Sequence, residues 1–152
     1  MTSPKLSYFG MWEDIDFAIN YVNERYVRDP KTKAKRTRLY AYGVSLGGQV
    51  LLMYLGKVGK RASDALDGAT VFSAIWEVRK SNKWFLASCN GFYNWLIGKS
   101  VSASIKSDQL PQIEKLMEKE DFKKLSNAIE NCTGLNHLDE FVYVKMYGFK
   151  DK

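Results

Sequence analysis

Gly43-Val44-Ser45-Leu46-Gly47 sets a serine between two glycines in the pattern G-x-S-x-G. The residues on either side give that pattern its meaning. Leu39-Tyr40-Ala41-Tyr42 before it is apolar and aromatic, and the stretch after it is apolar at Leu46, Val50, Leu51, Met53, Tyr54 and Leu55. A strand, a sharp turn and a buried helix are expected, with the serine held at the turn in a strained backbone conformation. A bulky residue in place of Gly43 or Gly47 is expected to clash with the adjoining strand or helix. Such a turn presents Ser45 as a nucleophile clear of the sheet. It also aims the backbone N–H of Leu46 at the oxyanion of a tetrahedral intermediate, where the helix dipole adds positive potential. The chemistry is acyl transfer through a serine ester, for which no cofactor is expected.

The elements that must position this turn can be read outward from it. Upstream, Trp12, Ile15, Ile19, Val22 and Tyr26 recur at three- and four-residue steps among acidic residues, which predicts an amphipathic helix over 11–26. Pro30 ends it. The connector carries five cations, at Lys31, Lys33, Lys35, Arg36 and Arg38, and reads as a solvated loop because no aromatic side chains interleave with them. Downstream, Gly56 and Gly59 suit a left-handed end to the helix. The run 69–75, rich in β-branched and aromatic residues, then predicts a second strand. Strand, helix and strand imply a parallel pair joined by a crossover. The rest is expected to be mainly helical, with an apolar stretch over 84–97 and an amphipathic helix over 110–124 that 125–129 extends. Phe141-Val142-Tyr143-Val144 fits a strand or a buried helical turn equally.

Composition narrows the class. The 152 residues, 45% hydrophobic and 26% charged, suit a single globular domain, and no repeats or low-complexity blocks occur. A formal charge of +6 attracts anionic groups without requiring nucleic acid, which is not expected as a partner. Cys89 and Cys132 are too few and too far apart for a disulfide framework or a metal knuckle, so no metal is expected. The apolar run 50–55 is far short of a bilayer span, and the first residues hold no apolar signal segment. A soluble, cytoplasmic chain is the expectation.

The run from Leu39 through Gly43-Val44-Ser45-Leu46-Gly47-Gly48-Gln49 to Tyr54-Leu55-Gly56 resembles the elbow of the α/β-hydrolases of the YheT and Emb8 type, the AB hydrolase 4 family. Thr2-Ser3-Pro4-Lys5 through Trp12-Glu13-Asp14 resembles the segment upstream of that elbow. Leu138-Asp139-Glu140-Phe141 and Lys145-Met146-Tyr147-Gly148-Phe149-Lys150-Asp151 resemble part of its helical cap. The resemblance implies a partial α/β-hydrolase fold: a parallel sheet fragment with the elbow over 1–76, then a mainly helical, cap-like segment over 77–152. It further implies a carboxylesterase or acylglycerol lipase acting on an ester or lipid, with membrane association in full-length relatives. Trp84, Phe85, Phe92, Tyr93 and Trp95 are then expected either as ordinary core or as the wall of an acyl site.

By the same resemblance Ser45 attacks the ester carbonyl, a histidine takes its proton and an aspartate orients the histidine, in the chain order Ser, Asp, His. The one histidine, His137, falls in the cap-like stretch, and Asp64, Asp67, Asp108 and Asp139 offer no assignable triad acid. The triad Asp and His are thus expected outside this chain, as is the second oxyanion donor, which the family draws from a loop upstream. A two-stranded sheet is also expected to leave apolar faces that self-associate. The alternative is therefore a catalytically inactive fragment or pseudoenzyme that binds a membrane or a partner through its basic loop and apolar faces.

Overall fold

The computed structural model describes residue 6 and residues 10–148. The resembling strings Thr2-Ser3-Pro4-Lys5 and Phe149-Lys150-Asp151 lie outside the described residues. The chain divides into two compact units, Tyr8–Trp76 and Met1–Ser7 with Glu77–Lys152.

In the first unit, α1 (Trp12–Val22) opens with Glu13 and Asp14 in its first turn, where the helix dipole favours negative charge. The predicted helix does not stay regular to Tyr26. It widens into a π-helical turn, Asn23–Val27, which buries both Asn23 and Val27, and the Asn23 side-chain amide donates to the Ala65 carbonyl at 2.8 Å. Asp29 then closes the basic loop on itself: its carboxylate accepts the N–H groups of Lys31 and Thr32, at 2.8 and 2.9 Å, and pairs with Arg36. Lys35 pairs with Asp67 at 2.6 Å. The loop is exposed throughout 31–38, as expected of a solvated connector, but two of its cations are neutralised locally.

Strand β1 (Tyr40–Val44) pairs in parallel with β2 (Gly68–Phe72), Val44 standing opposite Phe72. Helices α2 (Leu46–Val58) and α3 (Lys60–Ala65) make the crossover. The order expected for an α/β unit is therefore present, with shifted ends. β1 continues through Gly43 and Val44 because both pair with β2. β2 stops at Phe72 rather than Ile75, because Ser73 turns out of the ladder with φ +55°. Gly56 stays inside α2, and the break comes at Gly59 with φ +58° and ψ −126°, a conformation outside the left-handed helical region expected there.

Ile19, Leu51, Tyr54, Ala62, Ala65 and Leu66 form this unit's core, with Ala41 and Val71 packed on it from the sheet. Alternation along the strands places Tyr40, Tyr42, Val44 and Phe72 on the opposite face. That face is bare, Tyr42 being 69% and Phe72 63% exposed.

Among the described residues the regular elements of the second unit are helices: α4 (Val78–Ala87), α5 (Phe92–Ser104), α6 (Leu110–Ile113), α7 (Lys119–Glu130), α8 (Leu135–Leu138) and α9 (Val144–Tyr147). The helix expected over 110–129 is broken between Ile113 and Lys119, and the break lets Leu125 and Ile129 of α7 join Ile113 in one core. The ambiguous 141–144 segment is helical. A π-helical turn, Asp139–Tyr143, leads into α9, and Leu138 and Val142 repeat on the buried side, with Met146 packed against them. Leu6, which the sequence division grouped with the elbow segment, is fully buried in this helical core, and its N–H lies 3.2 Å from Met146 Sδ.

α5 and α8 meet backbone to backbone. A Cβ on Gly98 would lie 2.3 Å from the carbonyl carbon of Gly134, so only glycine fits. Reciprocal hydrogen bonds between Asn94 and Asn136 reinforce the contact, at 2.8 and 3.1 Å.

Candidate active site

The site is built on the turn between β1 and α2. Ser45 occupies that turn with φ +52° and ψ −119°. A non-glycine residue there costs on the order of 1–3 kcal/mol and persists only where its surroundings hold it. Two hydrogen bonds do so: the Ser45 N–H donates to the Phe72 carbonyl at 2.9 Å, and its own carbonyl accepts the Gln49 N–H at 2.9 Å. The Gln49 side chain, in turn, accepts the Ile75 N–H at 3.1 Å, tying the segment after β2 to α2. Ser45 is exposed.

Gly43 is buried directly beneath the turn. A Cβ on it would meet the Gly47 carbonyl oxygen at 2.6 Å and Gly48 Cα at 2.8 Å, so the expectation of a forced glycine holds here. It does not hold at Gly47, where a Cβ meets nothing within 4 Å among the described residues. The glycine that fits tightly is Gly48, whose Cβ would lie 3.1 Å from the Gly43 oxygen and 3.2 Å from the Phe72 oxygen. The reason is geometric: Gly48 faces the strands from the first turn of α2, whereas Gly47 points to solvent.

Leu46 is the first residue of α2, so its N–H is among the first-turn amides that have no partner within a helix. Ser45, Leu46, Gly43 and Gly47 are thus brought together at one exposed turn. Ser73, beyond the end of the neighbouring strand, also has a positive φ, +55°. Sequence reasoning missed it, because the run from Ala69 to Ile75 holds no glycine or proline to signal a turn.

The other candidates are engaged locally, exposed or part of the other unit. No histidine occurs within 8–76, and Asp67 is engaged by Lys35 and by the Leu39 N–H at 2.7 Å. Asp64 is exposed, and Asp108 accepts hydrogen bonds from Ser104 and Ser107. His137 belongs to the helical unit, with Nδ1 3.3 Å from Thr133 Oγ1 and its ring 4.7 Å from that of Phe141. It lines an open cavity of about 820 Å³ together with Leu116, Asp121, Phe141 and Lys145. Nearby, burial pushes the Asp139 carboxyl up. Burial, with the neighbouring Asp139 charge, pushes the Tyr143 hydroxyl up to about 12.

Of the aromatic residues offered as core or acyl-site wall, only Phe85 is half-buried, so the expectation of ordinary core does not hold for the others. Trp84 is 72% exposed, and Phe92, Tyr93 and Trp95 are exposed on α5.

No protein-family profile matches the chain. No solved structure matches it either. Among curated proteins, the monoacylglycerol lipase ABHD2 of Mus musculus is 26% identical over 159 residues, covering 98% of this chain and 34% of the relative. The Drosophila melanogaster abhydrolase domain-containing protein 2 is 24% identical, with 98% and 36% covered. The phospholipase ABHD3 of Mus musculus is 24% identical, with 93% and 34% covered. The chain spans about a third of the length of these relatives. They are abhydrolase-domain homologues, and they support the α/β-hydrolase superfamily; the two-stranded parallel sheet among helices is compatible with a part of that fold. Two carry lipase names, so the resemblance is to lipid hydrolases.

Proposed function

We propose that this chain carries the nucleophile elbow of a serine ester hydrolase of the AB hydrolase 4 type, acting on an acylglycerol, phospholipid or short-chain ester. The observation that carries the reading is the strained, exposed Ser45 between a parallel strand and the first turn of α2, with Gly43 and Gly48 closing the backbone beneath it. In this reading Ser45 Oγ attacks the ester carbonyl, and the Leu46 N–H stabilises the oxyanion. Gly43 and Gly47 are the two glycines of the motif. The lipase and phospholipase names of the relatives support a lipid substrate.

A base must still take the serine proton, and the unit that bears Ser45 contains no histidine. Loss of the base alone costs about 10⁶ in kcat in a triad hydrolase. That observation favours a second reading, in which the 152 residues by themselves hold the elbow without turnover.

Labelling with a fluorophosphonate probe separates the two. Capture that Ser45→Ala abolishes establishes an activated serine and the hydrolase reading. Folded protein that leaves the probe unreacted establishes the second.

A further inference from the structure

Three hydrogen bonds close a ring that passes through Ser45. The Ser45 N–H donates to the Phe72 carbonyl at 2.9 Å, the chain runs on through Ser73 and Ala74, and the Ile75 N–H donates to Gln49 Oε1 at 3.1 Å. The Gln49 N–H then donates to the Ser45 carbonyl at 2.9 Å and completes the ring. Both backbone hydrogen-bonding groups of Ser45 are therefore held, the N–H by the end of β2 and the carbonyl by α2. Two of the three bonds run from backbone to backbone and do not depend on a side chain. The third needs a side-chain acceptor long enough to reach Ile75, and half-buried Gln49 supplies it.

The ring encloses both strained serines, Ser45 with φ +52° and Ser73 with φ +55°. Such angles persist only where the surroundings fix them. Ser73 follows the last paired residue of β2, and Ala74 then lies across Gly48, whose Cβ, if present, would come 3.3 Å from Ala74 Cβ. The bare backbone at Gly48 lets the 73–75 segment approach the first turn of α2, and Gln49, next in sequence, takes its N–H. Gln49 lies outside the G-x-S-x-G pattern, so the motif by itself assigns it no task.

We propose that Gln49 is a positioning residue for Ser45: its side chain latches the 73–75 segment to α2 and, through the Phe72 carbonyl, fixes the Ser45 backbone, and with it the direction of Oγ and of the Leu46 N–H. This rests on the reading of Ser45 as the nucleophile. A reacting group displaced by about 1 Å loses on the order of 100-fold in rate, so a latch that adds little stability weighs heavily in reactivity. An amide also suits the place better than a carboxylate, which would accept the same N–H but set a negative charge one turn from the developing oxyanion.

Two substitutions in the full chain test it. Gln49→Met keeps the side-chain length and removes the oxygen acceptor, whereas Gln49→Glu keeps the acceptor. The bond is exposed, so Gln49→Met should melt within about 5 °C of the wild type. Amide hydrogen exchange should still rise at least tenfold at both Ile75 and Ser45 in Gln49→Met, and Gln49→Glu should restore both. A thiol reads the reactivity without needing a base. In a Ser45→Cys, Cys89→Ser background, where Cys132 is buried, adding Gln49→Met should slow iodoacetamide alkylation near pH 7 at least threefold, because the thiol is then no longer held against the first-turn amides that favour its thiolate. The proposal is overturned if the Ile75 amide alone responds, which would make Gln49 a local anchor. It is equally overturned if Gln49→Glu leaves the Ser45 amide unprotected, or if the thiol reacts at its parent rate in Gln49→Met. Fluorophosphonate labelling of the wild type judges the hydrolase reading separately: Gln49 effects without capture would sustain the positioning of Ser45 and overturn only that reading.

Discussion

Gly43 and Gly48 in one unit, and Gly98 and Gly134 in the other, do the same physical work by different routes. In the first pair, a strand and the helix that follows it fold back within one turn, so the two backbones that touch are neighbours in sequence. In the second pair, α5 and α8 meet from distant parts of the chain. A close approach made locally imposes a pattern on consecutive residues, and G-x-S-x-G is its trace. One made at long range leaves one glycine inside α5 and another just before α8, with nothing to connect them until the chain folds.

The largest expected effect comes from adding a methyl at each approach. Gly98→Ala puts Cβ against three backbone atoms within 2.5 Å, and Gly43→Ala puts one against backbone at 2.6–2.9 Å. Each should cost about 3 kcal/mol or more, because backbone cannot rotate aside as a side chain can. Hydrogen exchange should place the loss in the helical unit for Gly98→Ala and within 10–76 for Gly43→Ala. Uniform loss in both variants would break the division.

Next come the two glycines after the serine. Gly48→Ala meets backbone oxygens at 3.1–3.2 Å, and the gain in helix propensity offsets part of the strain, leaving a net loss of about 1 kcal/mol. Gly47→Ala meets open space and should stabilise by about 0.5 kcal/mol. Urea midpoints that reverse this order would restore Gly47 as the packed glycine.

Two aspartates set opposite pH dependences in the two units. Asp29 is held well below the usual carboxylate range by the Thr32 N–H, then by Arg36 and the Lys31 N–H. Its contribution is present above about pH 4, the range of an unfolded carboxyl, and is lost as pH falls. Asp139 is pushed up by burial. The stability associated with its protonated form is full below about pH 4 and is lost as pH rises through its raised value. Protection factors should therefore fall in acid around 28–36 and rise around 135–147, and Asp29→Asn and Asp139→Asn should each flatten their own region alone.

The smallest effect concerns buried hydroxyls that have no hydrogen-bond partner among the described residues, Tyr54 Oη in one unit and Ser102 Oγ in the other. Tyr54→Phe and Ser102→Ala remove a desolvated polar atom that gains no hydrogen bond. Each should leave stability unchanged or raise it by up to about 1 kcal/mol. A loss of more than that in thermal melts would reveal a partner.

The elbow unit was legible in outline because its signals are local. Period-3.6 apolar spacing marks α1, an apolar and aromatic run marks β1, a run rich in β-branched and aromatic residues marks β2, and a serine between glycines marks the turn. Their boundaries slipped where the reason was not local: β1 extends through Gly43 because β2 supplies partners, and α1 widens at Asn23 because that side chain reaches Ala65. In the helical unit the break after Ile113 has no glycine or proline to announce it. Only the shared core of Ile113, Leu125 and Ile129 accounts for it.

By itself, the sequence determined the order of strand, turn, helix and strand, and the place of Ser45 between them. Those features depend on residues a few positions apart, whose periodicity and backbone freedom act before any tertiary contact forms. Tertiary structure decided that Gly48 rather than Gly47 packs on the strands, that Gly98 meets Gly134, and that Trp84, Phe92, Tyr93 and Trp95 face outward. An aromatic residue at helical spacing reads as core in any sequence, and only the packing of α5 through its other face leaves these side chains on the surface.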